Sequence, residues 1–152
     1  SLASVHKRQF HIEVHTPEAR VVSTDAVSVS LPARDGQLGI LAGRAPLVAM
    51  VGAGTMIVEL ADGQEERFFL SGGFVQVREN LVTVLAEECL PAEWIDAEEA
   101  WQQLQDAKKM PALTDEQQEE RDAAVSRART KFNLAQIKRR REIERQRRAM
   151  QE

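Results

Sequence analysis

The chain has 152 residues and a mass of 17.0 kDa, which suits one domain, or a small domain with an appendage, and allows a substantial buried core. Its charges are uneven, because residues 1–89 carry 7 basic and 11 acidic side chains whereas residues 127–152 carry 10 basic and 3 acidic ones, and this predicts two parts with different partners. The single cysteine, Cys89, excludes an internal disulfide and indicates a reducing compartment, and the lack of an apolar run of about 18 residues excludes a membrane-spanning helix.

The first part of the chain, up to about Glu87, alternates apolar and polar residues with a period of two. We expect about nine short strands in an antiparallel sandwich or barrel. Because no helical segment connects these runs, a parallel sheet is not expected. The clearest runs are Phe10–His15, Val27–Leu31, Phe74–Val77 and Leu81–Leu85, and the turns include Asp35–Gly36, Gly52–Gly54, Asp62–Gly63, Gly72–Gly73 and Glu79–Asn80.

After Pro91 the apolar spacing changes to the helical period of 3.6. Asp96, followed three positions later by Glu99, forms a capping box that predicts the start of a first helix. Pro111 ends this helix, since proline lacks the amide hydrogen that a helix interior needs.

A second capping box, Thr114 with Gln117, predicts the start of a second helix. No glycine or proline follows, so this helix is expected to run from Asp115 to about Met150. At about 1.5 Å per residue it would span roughly 50 Å.

The predicted fold is mainly β plus α: an N-terminal antiparallel β-sandwich over residues 1–89, followed by a C-terminal two-helix antiparallel hairpin over residues 90–152. We expect the hairpin to be weakly held, since alanine dominates its apolar stripe and ordering the backbone costs roughly 1 to 2 kcal/mol per residue. A docked and an undocked arrangement of the hairpin would then differ in free energy by only a few kcal/mol. The larger apolar side chains of the stripe are Trp101, Leu104, Val125, Phe132 and Ile137.

Three stretches carry a family resemblance when they are taken together. They are DGQLGILAGRAPLV at residues 35–48, FFLSGGFVQVRENLVTVLAEE at residues 68–88, and IDAEEA at residues 95–100 ahead of a basic second helix. In this order they resemble the epsilon subunit of the F-type rotary ATP synthase, over about Phe10 to Met150. The resemblance implies a ten-stranded β-sandwich with a two-helix C-terminal domain.

The same resemblance implies a non-catalytic subunit of the central stalk, without a cofactor. Such a subunit binds the rotating gamma subunit, sits on the c-ring and couples its rotation to the alpha/beta catalytic head. In many bacteria its extended helices inhibit ATP hydrolysis. The implied location is peripheral, on the cytoplasmic side of the inner membrane.

The segment from Asp35 to Pro46 resembles the family loop that meets the c-ring and gamma. Its glycines would then serve tight turns and close backbone approach rather than chemistry. Gln37 replaces a glutamate found in many members, and Arg44 replaces the histidine of a GHAP sequence, so the charge of this contact differs. The implied contact residues are Asp35, Gln37, Leu38, Gly39, Ile40, Gly43, Arg44 and Pro46.

Some members of the family bind ATP on the helical domain through the motif I/L-D-x-x-R-A. In this chain Glu99 occupies the position of the motif's arginine, and a carboxylate repels phosphates. We therefore interpret Asp96 as a helix cap rather than a nucleotide ligand, and we expect ATP to bind weakly or not at all.

The basic second helix allows three interpretations. A run of charges is usually a solvated face without a partner, but by resemblance these cations meet an acidic helical segment of the beta subunit when the helical arm is raised. The alternative is a nucleic-acid-binding adaptor, which would need aromatic stacking groups near the basic run, and Phe132 is the single aromatic residue there. The cations implied by the resemblance are Arg127, Arg129, Lys131, Lys138, Arg139, Arg140 and Arg141.

No catalytic or metal site is predicted. His11, Glu13 and His15 share one strand face, but residues four apart on a strand lie roughly 13 Å apart, which is too far for one metal ion. Ser71 precedes a strand instead of a helix, so the SGG sequence is interpreted as a turn. No phosphate-binding glycine pattern opens a helix, and the chain alone is expected to be catalytically silent.

Overall fold

The computed structural model describes residues 8–151, which form ten strands, a short 3₁₀ turn and two helices. This confirms the predicted sandwich followed by a helical hairpin, and ten strands agree with the family resemblance better than the nine expected from periodicity. The strands are β1 (Phe10–His15), β2 (Arg20–Ala26), β3 (Ser28–Ala33), β4 (Gly36–Leu41), β5 (Leu47–Met50), β6 (Gly54–Glu59), β7 (Glu65–Ser71), β8 (Phe74–Arg78), β9 (Leu81–Leu85) and β10 (Glu88–Pro91).

The strands form two five-stranded sheets, ordered β2-β1-β9-β8-β5 and β10-β7-β6-β3-β4. Most neighbours are antiparallel, as predicted, but β1 and β9 pair in parallel, with Ile12 opposite Val82. A parallel sheet was not expected because the sequence shows no helical crossover, and parallel pairing is confined to these two strands within residues 8–151. Here the other strands themselves provide the long connection that a parallel pair requires.

The core lies between the two sheets. Alternation along β1 places Phe10, Ile12 and Val14 in it, each at most 3% exposed, while the intervening residues face outward. Leu31, Met56, Val75 and Val84, from strands of both sheets, are fully buried in the same cluster. Most side chains of the core are aliphatic, and the others are a methionine, a cysteine and a few phenylalanines. This composition suits a closely packed two-layer sandwich.

A 3₁₀ turn (Ala92–Trp94) leads into helix α1 (Ala97–Lys108), which is followed by helix α2 (Asp115–Gln151). The predicted start of α1 is confirmed, since Asp96 Oδ1 accepts a hydrogen bond of 3.0 Å from the Glu99 amide. The predicted span of α2 is confirmed to within one residue at its C-terminal end.

The capping box at the start of α2 is complete. The Gln117 amide donates to Thr114 Oγ1 at 3.1 Å, and Gln117 Oε1 accepts from the amides of Thr114 and Leu113 at 3.3 and 2.9 Å. Three otherwise unpaired backbone donors are satisfied in this way, so the helix start is fixed by local interactions.

Small residues dominate the contact between the two helices. Its buried side chains are Ala100, Leu104 and Ala107 from α1 with Ala128, Leu134 and Ala135 from α2. The prediction for Trp101 is wrong, because this residue is 50% exposed, whereas Leu134, which was not predicted, is 2% exposed. Val125, Phe132 and Ile137 of the predicted stripe are partly buried.

The chain divides into two units between Pro91 and Ala92, two residues beyond the predicted boundary. Strand β10 is the reason, since it pairs with β7 as far as Pro91, opposite Phe68. The side chain of Cys89 is buried in this strand.

Candidate functional site

The segment Asp35–Pro46 is a strand for half of its length, which corrects the prediction of a loop. Asp35 lies in the tight turn after β3, and Gly36–Leu41 is strand β4. β4 is an edge strand because it pairs on one side only, with β3. Gln37 Nε2 donates a hydrogen bond of 3.2 Å to Ser30 Oγ across this pair.

The pleat of β4 decides which side chains of the segment are accessible. Ile40 is 1% exposed and belongs to the core, and Leu38 packs partly buried against it, so these two predicted contact residues face inward. Gln37 and Gly39 face outward together with Leu41, which is 65% exposed and was not predicted. The accessible residues of this segment therefore include Leu41, which was not predicted, and do not include Ile40, which was.

A tight turn follows β4 and carries the rest of the predicted contact residues. The Arg44 amide donates to the Leu41 carbonyl at 3.3 Å, and Gly43 has φ 81, a conformation that glycine adopts without steric cost. Gly43, Arg44 and Pro46 are all exposed.

An exposed apolar row crosses the outer face of the first sheet. Met50 of β5 lies opposite Phe74 of β8, and Phe74 lies opposite Leu85 of β9. These side chains are 54%, 39% and 40% exposed, and Val48, two residues before Met50, is 68% exposed. We call Val48, Met50, Phe74 and Leu85 the apolar row.

Sequence reasoning missed the apolar row as a functional surface. The signal was present in the Leu47–Val51 run, where strand alternation sends Val48 and Met50 to the face opposite Leu47 and Ala49. Exposed apolar groups gathered on one face mark interaction surfaces more often than scattered ones do.

The predicted cations on α2 do not form one continuous surface. Arg127 and Lys131 line a cleft of about 320 Å³ together with Asp106, and Lys138 Nζ donates a 2.6 Å hydrogen bond to the Glu93 carbonyl of the 3₁₀ turn. Arg129 is exposed, and every residue from Arg139 to Gln151, including Arg140 and Arg141, is exposed. Arg127 and Arg129 are exposed as single cations, and Arg139–Arg141 is the run of consecutive exposed cations in the predicted set.

Asp96 lies at a cleft of about 310 Å³ that the two helices form near the start of α1. The charged residues lining it are Asp96, Glu98, Lys138, Arg139 and Glu142. Three carboxylates against two cations leave the cleft with a negative balance, which disfavours a polyphosphate. Sequence reasoning had not brought Lys138 and Arg139 together with Asp96, because the helix pairing decides their proximity.

The histidine face of β1 forms a polar ladder. His11 Nδ1 lies 2.9 Å from Asp25 Oδ1 on β2, and His15 Nε2 lies 3.1 Å from Glu13 Oε1. Within residues 8–151 no group of three or more His, Cys, Asp or Glu side chains is placed to hold a metal ion. Neither helix in this range combines the length and the apolar content that a membrane span requires.

Comparison with known proteins gives the same family from two directions. A family model described as "ATP synthase, Delta/Epsilon chain, beta-sandwich domain" matches residues 9–92. An ATP synthase epsilon chain of Rhodopirellula baltica is 41% identical over 116 residues, covering 76% of this chain and 90% of that protein. An ATP synthase epsilon chain of Propionigenium modestum, described as sodium ion specific, is 32% identical over 129 residues and covers 85% and 91%.

Solved structures share the fold. A chain in the Euglena gracilis mitochondrial ATP synthase, solved as OSCP, F1 and c-ring, superposes with a TM-score of 0.73 at 20% identity, covering 85% of this chain and 81% of that one. A chain in the central stalk and c-ring of the Tetrahymena thermophila mitochondrial ATP synthase gives 0.63 at 14% identity, covering 84% and 96%. The family model matches the sandwich, and the relatives are similar to this chain along most of the chain's length. We conclude that this chain belongs to the ATP synthase epsilon-chain family.

Proposed function

We propose that this chain is a non-catalytic subunit of the ATP synthase central stalk that binds gamma and the c-ring through its β-sandwich. The apolar row carries the proposal. It lies on the outer face of one sheet. Leu41 and the exposed turn at Gly43–Pro46 come directly before β5 in the chain. Family membership supplies the partners, and the row supplies a surface that a partner would bury.

The row is large enough to anchor an interface. Burying an aliphatic or aromatic side chain completely contributes about 1.5 to 3 kcal/mol, and the four members of the row are between 39% and 68% exposed, so a partner would bury only that fraction. Polar groups flank the row, with Gln76 opposite Val48 and the histidine ladder beyond Leu85. Apolar centres with polar rims are typical of protein interfaces.

The helical hairpin is proposed as a regulatory arm that inhibits ATP hydrolysis when it extends. Three features support this role. The contact between α1 and α2 rests on four alanines and two leucines, both helices have their own N-terminal caps, and the last turns of α2 are exposed. A weak helix pair whose helices are stable locally can change partners at a cost of a few kcal/mol.

Arg139–Arg141 is the proposed contact of the raised arm with an acidic segment of the beta subunit. The proposed location is peripheral, on the cytoplasmic side of the inner membrane. ATP is proposed to bind weakly or not at all, because Glu99 replaces the motif arginine and the cleft at Asp96 has a negative balance. The family finding favours this proposal over the nucleic-acid adaptor.

The sandwich contact is tested by binding to the cognate gamma subunit and c-ring. Val48→Ser with Met50→Ser should weaken binding at least tenfold, because two exposed apolar side chains leave the interface centre. Leu113→Ser is the matched control, since Leu113 is 93% exposed and lies between the helices. Equal affinity of the double variant and the control would overturn the proposed surface.

The regulatory arm is tested by ATP hydrolysis of the reconstituted enzyme. A chain ending at Pro91, which keeps β10, should assemble and relieve inhibition. In the full chain, Arg139–Arg141→Gln should raise hydrolysis and reduce its salt sensitivity, whereas the same change at Arg145, Arg147 and Arg148 serves as a control of equal charge on the same helix. Inhibition that survives the first triple substitution would remove this cluster from the mechanism.

A further inference from the structure

Asn80 joins three separate parts of the β-sandwich. It is the second residue of the two-residue turn between β8 and β9, with φ 61 after φ 50 at Glu79. Its backbone carbonyl accepts a hydrogen bond of 3.0 Å from the His11 amide. Its side-chain Oδ1 accepts one of 2.9 Å from the Gly43 amide, 37 residues earlier in the chain.

The turn explains part of this residue choice but not all of it. A two-residue hairpin turn with positive φ at both positions favours asparagine and glycine, which adopt that conformation at low cost. Glycine at position 80 would keep the backbone and the bond from His11. The bond from the Gly43 amide needs a side-chain acceptor, which asparagine supplies and glycine lacks.

Within residues 8–151, the turn that receives this bond has few other hydrogen bonds, although Ala42 packs partly buried against the core. A backbone hydrogen bond runs from the Arg44 amide to the Leu41 carbonyl at 3.3 Å, slightly longer than the usual range. The residues from Gly43 to Pro46 are exposed, and the guanidinium of Arg8 lies above Gly43, 3.0 Å from where a Cβ would stand. Exposed turns with few bonds are among the first parts of a protein to open locally.

We infer that Asn80 is a positioning residue for partner binding: its side chain holds the Leu41–Arg44 turn against the β8–β9 hairpin. The turn is then presented in one conformation, with Leu41 and Arg44 accessible. This inference rests on the proposed function, in which this segment contacts gamma and the c-ring. Without the bond, binding would have to select that conformation from several, and affinity would fall.

The experiment compares three variants of the full chain. Asn80→Gly keeps the turn and removes the acceptor, and Asn80→Asp keeps both, since a carboxylate also accepts from the Gly43 amide. Glu79→Gly is the control, because it changes the same turn and leaves Asn80 in place. Amide hydrogen exchange at Gly43 and affinity for the cognate gamma and c-ring are measured for each.

We expect Asn80→Gly to exchange the Gly43 amide about tenfold faster and to bind the partner complex about three- to tenfold more weakly, as expected for one hydrogen bond. Asn80→Asp and Glu79→Gly should stay close to wild type in both measurements. Rescue by aspartate separates positioning from a general loss of stability, because aspartate restores the side-chain acceptor that glycine lacks.

Two outcomes would overturn the inference while leaving the proposed function intact. One is wild-type affinity of Asn80→Gly despite faster exchange at Gly43, and the other is equal loss of affinity in the glycine and aspartate variants. If wild type itself does not bind gamma or the c-ring, the proposed function fails, and the positioning role fails with it. The exchange result still shows in that case whether the hydrogen bond exists.

Discussion

The β7–β8 turn offers a sharp test of how the sandwich is held together. Gly73 has φ 95, and a Cβ added there would lie 1.6 Å from the carbonyl oxygen of Leu85, where ordinary contacts begin at about 3.4 Å. Gly63, in the β6–β7 turn, has φ 87 but no heavy atom within 4 Å of its Cβ position. Gly39 has the same free space and no positive φ. Three Gly→Ala changes therefore separate conformational strain from steric overlap.

The expected magnitudes follow from these geometries. Gly39→Ala should be close to neutral, and Gly63→Ala should cost about 1 kcal/mol for an L-residue in the left-handed region. Gly73→Ala adds an overlap with backbone, so the strands would have to separate by roughly 2 Å. That movement disturbs the Phe74–Leu85 pair and the bond from the Val51 amide to the Gly73 carbonyl. We expect a loss above about 4 kcal/mol, a large part of the stability of a small domain.

Urea unfolding followed by far-ultraviolet circular dichroism measures these changes. Tryptophan fluorescence is the wrong probe, because Trp94 and Trp101 both lie in the helical unit rather than in the sandwich. Equal unfolding midpoints for Gly73→Ala and Gly63→Ala would refute the reasoning, since the overlap would then be relieved without breaking the sheet. A large loss in Gly39→Ala would refute it as well.

Three further predictions concern single side chains. Burial raises the pKa of Cys89 to about 12, with a smaller contribution from Glu88, so iodoacetamide should label this thiol only after unfolding. Because the thiol ionises at lower pH in the unfolded chain, the contribution of Cys89 to stability should be intact below about pH 9 and should decline as the pH rises toward 12. Labelling of the folded chain at pH 8 would contradict the burial of this thiol. Lys138→Met removes the donor to the Glu93 carbonyl and should shift Trp94 emission in a Trp101→Phe background, whereas Arg140→Met should leave it unchanged. Glu99→Arg restores the family motif and should strengthen ATP binding at least tenfold, as measured by isothermal titration. Glu116→Arg is the control, because it makes the same change of charge elsewhere in the helical unit. A low micromolar dissociation constant for the wild type would contradict the proposed weak binding.

Much of the helical unit was predictable because its signals are local. Asp96 and Thr114 accept hydrogen bonds from amides three residues ahead, so residues within one helical turn determine where each helix starts. The pairing of the helices was less predictable. Trp101 is half exposed and Leu134, which was not predicted, is buried, since the crossing of two helices, rather than the pattern on either one, decides which side chains are covered.

In the sandwich, the sequence by itself determined the alternation of β1, the turns at Gly72–Gly73 and Glu79–Asn80, and the family, because period, turn chemistry and motif order are properties of neighbouring residues. The tertiary structure alone decided that β4 is an edge strand with Ile40 inside, that Met50, Phe74 and Leu85 align in one exposed row, and that Asn80 reaches Gly43. Those three facts join residues far apart in the chain. Strand order and register set them, and no short window of sequence contains either.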